Sequence, residues 1–427
     1  MPKSVKVNCS SVIKKLTTTL FIGFPLFLTL VLPYFLRTYF GTSMANGFVI
    51  VMAVHILIVL ALWFFRFRFQ QIGSSIFAIL VVLCFILVHA TVSFYIHATF
   101  DYIRFKESAV FLVLFLLGAY FFSAVVHRIQ GLEAEFSFKL VFHVLLITSI
   151  AAALRFAPVP SEGGKSVFFF NEPSHFAVIF LPFLLYMTVI SQVKARILFI
   201  LIGYSLAFFL ENLTLAVGCT LIAVLSVPVR ILMIFGPLAF VVMLTRADDL
   251  VYFTSRLFLF GDNRNLSTTV FLSGWERAYL NLKSTFGFGV GFQQFGVIGS
   301  RGEMMDYFVG RGVADLNLLD GGANAPKFIG EFGLLGVAML LVYIKYIISY
   351  MKWFRGAAMS AMKPAGVDVM FRSWFLMYSI DLFVRGTGYF APSGFVFAAS
   401  LIWLSRFQIQ PDGHDYKPTR LSALSLP

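Results

Sequence analysis

Residues 72–95 read IGSSIFAILVVLCFILVHATVSFY, a predominantly apolar stretch without a single Asp, Glu, Lys or Arg. An α-helix rises about 1.5 Å per residue, so roughly 20 such residues cross the hydrocarbon core of a bilayer. The stretch is therefore predicted to be a membrane-spanning helix.

Similar blocks recur along the chain and predict an all-α, polytopic integral membrane protein with about twelve transmembrane helices. The composition agrees, since 59% of the residues are hydrophobic and only 12% are charged, against about 25% charged in an average soluble domain. The expected spans are residues 17–36, 44–65, 72–95, 108–126, 138–154, 174–191, 197–211, 213–229, 231–246, 328–350, 368–384 and 388–405. The seventh and eighth meet at Glu211–Asn212, which forms either a tight turn or a break inside one longer helix that lines a cavity.

The short loops predict the orientation of the chain. Lys and Arg concentrate on the side of the N-terminus, as at Lys14, Arg66, Lys194 and Arg355, and such loops stay in the cytoplasm. Both termini are therefore expected to be cytoplasmic, with 1–427 as a single integral membrane domain and 405–427 as a cytoplasmic tail. The basic residues are spread over many short loops and do not follow one stripe. This distribution argues against a nucleic-acid partner despite the net charge of +13.

One outer loop, residues 247–327, is too long to be a mere connection, and loops of this size are usually functional. Trp275, Tyr279 and Leu282 follow helical spacing and predict an amphipathic helix around 270–284. The glycine-rich stretch Gly287–Gly291 superficially resembles a phosphate loop. It lacks the lysine and the strand–turn–helix setting of such a loop, so a hairpin or tight turn is expected.

The residue types on the outer side favour phosphate binding by arginine. The chain has no His-x-x-x-His pair, no paired-Cys spacing and no Asp-x-Asp, so neither a metal site nor a cofactor is expected. The planar fork of an arginine binds phosphate oxygens bidentately without a metal. For each outer arginine, a salt bridge at the rim or a lipid headgroup contact is the alternative.

Two pairs of residues stand at the outer ends of predicted spans. Asp381 and Arg385 are four apart and are expected on one face of a helix, either as a functional charged pair in a cavity or as a structural ion pair. Glu172 and His175 flank Pro173, which suits a first helical turn. Glu172 is then either a general base whose pKa is raised beside apolar walls or a cap of the helix.

These residues also carry a family resemblance. Residues 170–177, FNEPSHFA, resemble the Glu-Pro-Ser segment of O-antigen polymerases of the Wzy type, within the O-antigen polymerase/ligase superfamily. Residues 265–278, 285–292 and 324–336 are similar to that family in order and position, so the likeness covers most of the chain from about residue 150. Where ligases carry a histidine this chain has Gly322, and it also lacks their Ser-Arg-Gly near the eighth span, which favours a polymerase over a ligase.

The resemblance implies a multi-span glycosyltransferase fold of the C type in the bacterial inner membrane. It implies transfer of oligosaccharide repeat units between undecaprenyl-pyrophosphate carriers at the periplasmic face, for O-antigen (part of lipopolysaccharide) or a similar surface polysaccharide. We expect metal-independent, inverting transfer, with Glu172 as base and His175 as its helper. Membrane lipids and a chain-length regulator protein are the further candidate partners. The other residues expected to bind substrate are Arg264, Arg277 and Arg385 at the pyrophosphate, Trp275 and Tyr279 at sugar faces, and Asp381, Asn324 and Lys327.

Three other functions stay open. An O-antigen ligase-type glycosyltransferase would use the same lipid carrier. A flippase or transporter for that lipid would need no long outer loop and should show repeat symmetry between the halves of the chain, which the sequence lacks. A scaffold without activity would need no buried charge pair.

Overall fold

The computed structural model describes residues 19–64, 73–129, 132–156, 166–233, 252–253, 256, 265–310, 312–313, 317–360 and 364–407. The regular secondary structure within these ranges is helical, and the β-structure found there is limited to two isolated bridges. A π-helical turn, Thr19–Gly23, leads directly into the first helix. The helices are α1 Phe24–Phe40, α2 Met44–Phe64, α3 Gly73–Ile96, α4 Tyr102–Arg128, α5 Leu132–Ala153, α6 Pro173–Ile190, α7 Val193–Phe209, α8 Leu213–Ser226, α9 Leu266–Ser284, α10 Glu303–Gly310, α11 Asn324–Met359, α12 Gly366–Phe383 and α13 Pro392–Phe407.

The all-α prediction is confirmed, and so is compatibility with a membrane. Within the described residues, 6 helical segments are long and apolar enough to cross a bilayer: Thr19–Phe40, Ile76–Ile96, Tyr102–Arg128, Glu133–Ala153, Pro173–Ile190 and Asn324–Met359. Shorter apolar helices, Asn46–Ile58, Leu213–Ser226 and Pro392–Ser405, lie in three of the other predicted spans. The ninth predicted span, 231–246, lies almost entirely outside the described residues, as does the tail beyond 407. The count of about twelve crossings therefore stays a prediction.

Helix α6 lies at the centre of the bundle. It is apolar on all sides, as a helix without a solvent-facing side must be, and it packs against α12, α8, α7 and α5. Helix α3 is its opposite, since much of its apolar surface, including Phe77 and Val88, is exposed. The start of α6 is thereby fixed in the middle of one end of the bundle.

Contacts between loops separate the bundle into two ends. At one end, which we call the loop end, Asp101 N–H donates to Gln294 Oε1 over 2.9 Å, and Asn212 Nδ2 donates to Pro173 O over 2.6 Å. At the opposite end, buried Arg196 donates to carbonyl oxygens of Thr188, Ser191, Ser226 and Ala358. Helices that cross a membrane in alternating directions require their connections to be divided between two ends in this way. The side of the membrane on which each end lies stays a prediction.

Glu211–Asn212 forms a turn and does not lie within a continuous helix. Glu211 has a left-handed φ of 47°. Asn212 caps α8, because its side chain accepts from Leu215 N–H over 3.1 Å. Of the two alternatives that the sequence left open, the tight turn is the one that the structure has.

The glycine-rich stretch is a partner of α11. Gly333 interrupts that helix with φ 59° and ψ −138°, and Gly287 O accepts there from Leu334 N–H over 2.7 Å. A Cβ at Gly333 would lie 1.9 Å from Gly287 O, so only glycine fits. Val290 N–H also donates to Gly330 O. The glycines therefore allow close backbone approach between the long loop and the helix.

Candidate active site

Glu172 stands at the N-terminus of α6. It has extended backbone geometry at the N-cap position, with Pro173 in the first turn, as the sequence predicts. Its carboxylate forms no capping bond to the helix backbone. Instead, Oε2 accepts from Ser174 Oγ over 3.1 Å and from Arg385 NH2 over 2.7 Å. Glu172 thus holds the position of a cap, but its side chain belongs to an ion pair.

The expected pairing of Asp381 with Arg385 is wrong. Helix α12 ends at Phe383, so Arg385 lies in the connection to α13 and not one helical turn above Asp381. Buried Asp381 accepts from Thr387 N–H over 2.7 Å, from Thr387 Oγ1 over 3.1 Å and from Ser393 Oγ. These bonds end the helix and fold the connection back on itself. Asp381 therefore positions the segment that carries Arg385.

Electrostatics around Glu172 are dominated by two opposing effects. Burial by itself would raise the pKa of this carboxyl group. The Arg385 guanidinium and the nearby His175 more than offset that effect, and the pKa of Glu172 falls to about 2. The sequence led us to expect a raised pKa, and that expectation is wrong for this conformation because Arg385 compensates the charge. As paired here, Glu172 is ionised but a weak base.

His175 lies behind this pair. It is buried, its ring stacks on Tyr34 with centroids 5.1 Å apart, and Nδ1 lies 2.9 Å from Asn171 Oδ1. Its ring therefore fixes the turn before α6 and does not line the cavity beside Glu172. The arrangement suits a residue that positions Glu172.

A cavity of about 600 Å³ opens in front of the ion pair, within the range of about 300–1,000 Å³ that is usual for ligand sites. Its polar wall contains Glu172, Ser174, Glu211, Asn212, Arg256, Ser267, Thr268, Asn317 and Arg385. Its apolar wall contains Leu213, Val217, Leu266, Phe271, Phe383 and Val384. The Arg256 guanidinium lies over the Tyr252 ring at 4.1 Å. The cavity is therefore lined by two arginines, two carboxylates and several apolar side chains.

Arg277 lies elsewhere in the long loop. Its side chain is only 2% exposed. NH1 donates to Leu318 O, NH2 donates to Asn317 O over 3.4 Å, and the guanidinium stacks on Phe295 at 4.3 Å. Burial lowers the pKa of Arg277 to about 10. These contacts join α9 to the segment before α11, so its fork is occupied by backbone carbonyls and does not face the cavity.

The remaining expected residues are divided between the core and the surface. Asn324 is buried, and its Oδ1 accepts from Gly388 N–H over 3.2 Å. Buried Lys327 lies 3.1 Å from Asp320 Oδ1 and lowers the pKa of that carboxyl group. The predicted helix around 270–284 is confirmed as α9, but Tyr279 is 62% exposed on its outer side. None of these three lines the cavity, and neither does Trp275; Arg264 lies outside the described residues.

Several residues of the site were missed by sequence reasoning. Glu211, Ser267, Thr268 and Asn317 line the cavity but were not among the predicted site residues. Ser267 and Thr268 had a signal, because they lie in the segment 265–278 that carries the family resemblance. Glu211 had one in its place between two predicted spans, and Arg256 is an arginine of the long outer loop.

No protein-family model matches the chain, and no curated protein matches it.

Proposed function

We propose that the protein is a glycosyltransferase that polymerises lipid-linked oligosaccharides. In this proposal the loop end faces the periplasm of a bacterium, and repeat units pass between undecaprenyl-pyrophosphate carriers in the cavity beside α6. The observation that carries the proposal is the Glu172–Arg385 pair in a cavity that also holds Arg256 and has an apolar wall. The resemblance of residues 170–177 to O-antigen polymerases supports it.

The polar wall suits the chemistry of a diphosphate leaving group. The acceptor hydroxyl oxygen attacks the anomeric carbon of the donor, and the bond from that carbon to the diphosphate oxygen breaks. The diphosphate leaves with the electron pair, and Glu172 takes the hydroxyl proton. Preorganised cations stabilise the developing charge, a role for Arg385 and Arg256. Attack from the face opposite the leaving group inverts the anomeric centre.

The apolar wall suits the carrier. A polyprenyl chain must remain in an apolar environment while its diphosphate is in water. Leu213, Val217 and Leu266 line one side of the cavity, and Leu266 is 40% exposed. An apolar surface at the mouth of a polar cavity would let the chain stay in the bilayer during transfer.

The test is incubation of the purified full-length protein with a lipid-linked repeat unit. A polymerase yields a ladder of products that differ by one repeat, together with free undecaprenyl diphosphate. A ligase-type transferase yields a single transfer onto an added lipid acceptor. Disappearance of the ladder in Arg385→Gln, with the protein at normal abundance, links the products to this cavity.

A flippase for the same lipid is the alternative. Transport needs access to a central site from both ends in turn. The cavity found among the described residues beside α6 is at the loop end, and at the opposite end Arg196 joins carbonyls near the ends of α6, α8 and α11. This closure favours transfer over transport.

A further inference from the structure

The ion pair occupies the groups that the proposed reaction needs. Arg385 NH2 lies 2.7 Å from Glu172 Oε2, and Ser174 Oγ donates to the same oxygen. A carboxylate oxygen that already accepts two hydrogen bonds, one from a cation, is a poor proton acceptor. An arginine that neutralises a carboxylate is likewise less attractive to a phosphate. In this conformation each partner masks the other.

We propose that Arg385 changes partner when the donor binds, leaving Glu172 for the diphosphate and so freeing the carboxylate to act as the base. The inference rests on the proposed function and extends it to the order of events at the site. A base exposed only when the leaving group is already held would activate the acceptor hydroxyl only in a loaded cavity. Such coupling limits reaction of the donor before both the donor and the acceptor are bound.

The geometry of Arg385 suits an exchange of partners. Only NH2 contacts Glu172, and Nε has no hydrogen-bond partner within the described residues. Five N–H donors in a planar fork allow the group to turn from a carboxylate to a phosphate with little loss. The Glu172 side chain is 45% exposed and the Arg385 side chain 22%. A ligand in the cavity can therefore reach both without any movement of a helix.

Other charged groups near the pair stay in place when Arg385 changes partner. His175, from α6, is held by Asn171, and the charge of Arg37 at the end of α1 also acts on His175. Glu211 and Arg256 line the same cavity. When Arg385 turns away, the pKa of Glu172 rises because its closest opposite charge is lost. The freed carboxylate then becomes a competent base.

The test is a measurement of diphosphate binding, in which the exchange predicts whether the affinity of each variant rises or falls. The full-length protein in nanodiscs is titrated with inorganic pyrophosphate and, separately, with undecaprenyl diphosphate, which distinguishes the phosphate from the lipid contribution. Glu172→Gln removes the competitor for Arg385, so diphosphate should bind about three- to tenfold more tightly. Arg385→Gln should weaken binding by at least about tenfold.

A matched pair of variants separates exchange from simple repulsion between anions. Glu211→Gln removes the same charge from the same cavity, and the exchange predicts a smaller gain than that of Glu172→Gln. In the Arg385→Gln background, Glu172→Gln should give no further gain, because no arginine is left to release. Equal gains at Glu172 and Glu211, or a gain that persists without Arg385, would overturn the exchange in favour of a field effect.

Measuring both diphosphate binding and glycosyl transfer distinguishes failure of the exchange from failure of the proposed function. Tighter diphosphate binding by Glu172→Gln without any glycosyl transfer by the wild type would support the exchange and refute the polymerase. A product ladder from the wild type with unchanged diphosphate affinity in Glu172→Gln would do the reverse. Failure of the wild type to bind either diphosphate overturns the exchange.

Discussion

The Arg385 guanidinium lies 2.7 Å from the Glu172 carboxylate, although 213 residues separate them in the chain. The contact joins the N-terminus of the central helix α6 to the connection between α12 and α13. It also forms part of the wall of the cavity. This ion pair is the structural basis of the proposed chemistry.

Replacement of Arg385 should affect transfer much more than stability. Arg385→Lys keeps the charge but loses the fork that holds two phosphate oxygens, so we expect transfer to fall by at least about tenfold. Both side chains are partly exposed, so loss of the pair should cost no more than about 1 kcal/mol of unfolding free energy. Transfer rate and thermal unfolding are measured on the same preparation. A large drop in stability with normal specific activity would contradict this role.

Asp381 should behave as a positioning residue. Asp381→Ala would leave donors at part-buried Thr387 and buried Ser393 without their acceptor, at a cost of about 1–3 kcal/mol for a fully buried group. We expect a lower unfolding midpoint together with weaker diphosphate binding, as Arg385 loses its position. The control is Asp368→Ala on the same helix, where a partly exposed pair with Arg372 should cost about 1 kcal/mol or less. Equal destabilisation by the two variants would refute the role of Asp381.

Arg277 leads to the opposite expectation. Because its fork is bound to the carbonyls of Leu318 and Asn317, Arg277→Lys should reduce folded protein by destabilising the long loop, by about 2–4 kcal/mol. Diphosphate affinity of the folded fraction should stay within about twofold of the wild type. Lys283→Gln, an exposed change on the same helix, is the control. Normal abundance with lost diphosphate binding would return Arg277 to the site.

Orientation can be tested by thiol labelling in a variant without the native cysteines. Ser300 is exposed in the long loop and Met359 is 45% exposed at the end of α11. An impermeant reagent added to cells with a permeabilised outer membrane should label Ser300→Cys. It should label Met359→Cys only after the inner membrane is opened. Labelling of Met359→Cys in intact inner membranes would reverse the assigned topology.

Much of the fold could be predicted from the sequence, because long apolar blocks have few alternatives to helices in a membrane. The ends and interruptions of the helices were less predictable. Helix α11 is kinked at Gly333, where the loop around Gly287 packs against the interruption. Helix α13 begins at Pro392, later than the apolar pattern suggested, because Asp381 binds Thr387 and Ser393 and draws the connection inward.

The site was only partly predictable for a similar reason. Glu172 and Arg385 each had a local signal, a carboxylate before a proline and an arginine at the end of a span. Their pairing depends on the packing of α6 against α12, which spacing along the chain does not contain. The four-residue spacing suggested Asp381 as the partner of Arg385. That prediction required helix α12 to continue to Arg385, but it ends at Phe383. The burial of Arg277 was not predicted, because residue type and position do not reveal it.

The dependence of transfer on pH should report the state of Glu172. In the free enzyme the Arg385 guanidinium holds the pKa of Glu172 well below its usual value, so kcat/KM should show no inflexion from this group near the ordinary carboxyl pKa of about 4.3. In the loaded enzyme the freed carboxylate should titrate near or above its ordinary value of about 4.3, so kcat should fall as pH drops through that range. Glu172→Gln should abolish the acidic limb of kcat. Acidic limbs that coincide in kcat and kcat/KM would contradict the change of state.

The turnover of Glu172→Gln under saturating donor shows whether Glu172 takes the proton in a cavity organised by Arg385. General base catalysis typically contributes about 10²–10⁴-fold, so turnover should fall by that factor while the donor still binds. Glu107→Gln, an exposed carboxylate at the same end of the bundle, should keep the wild-type rate. Turnover of Glu172→Gln within about threefold of the wild type would contradict the account.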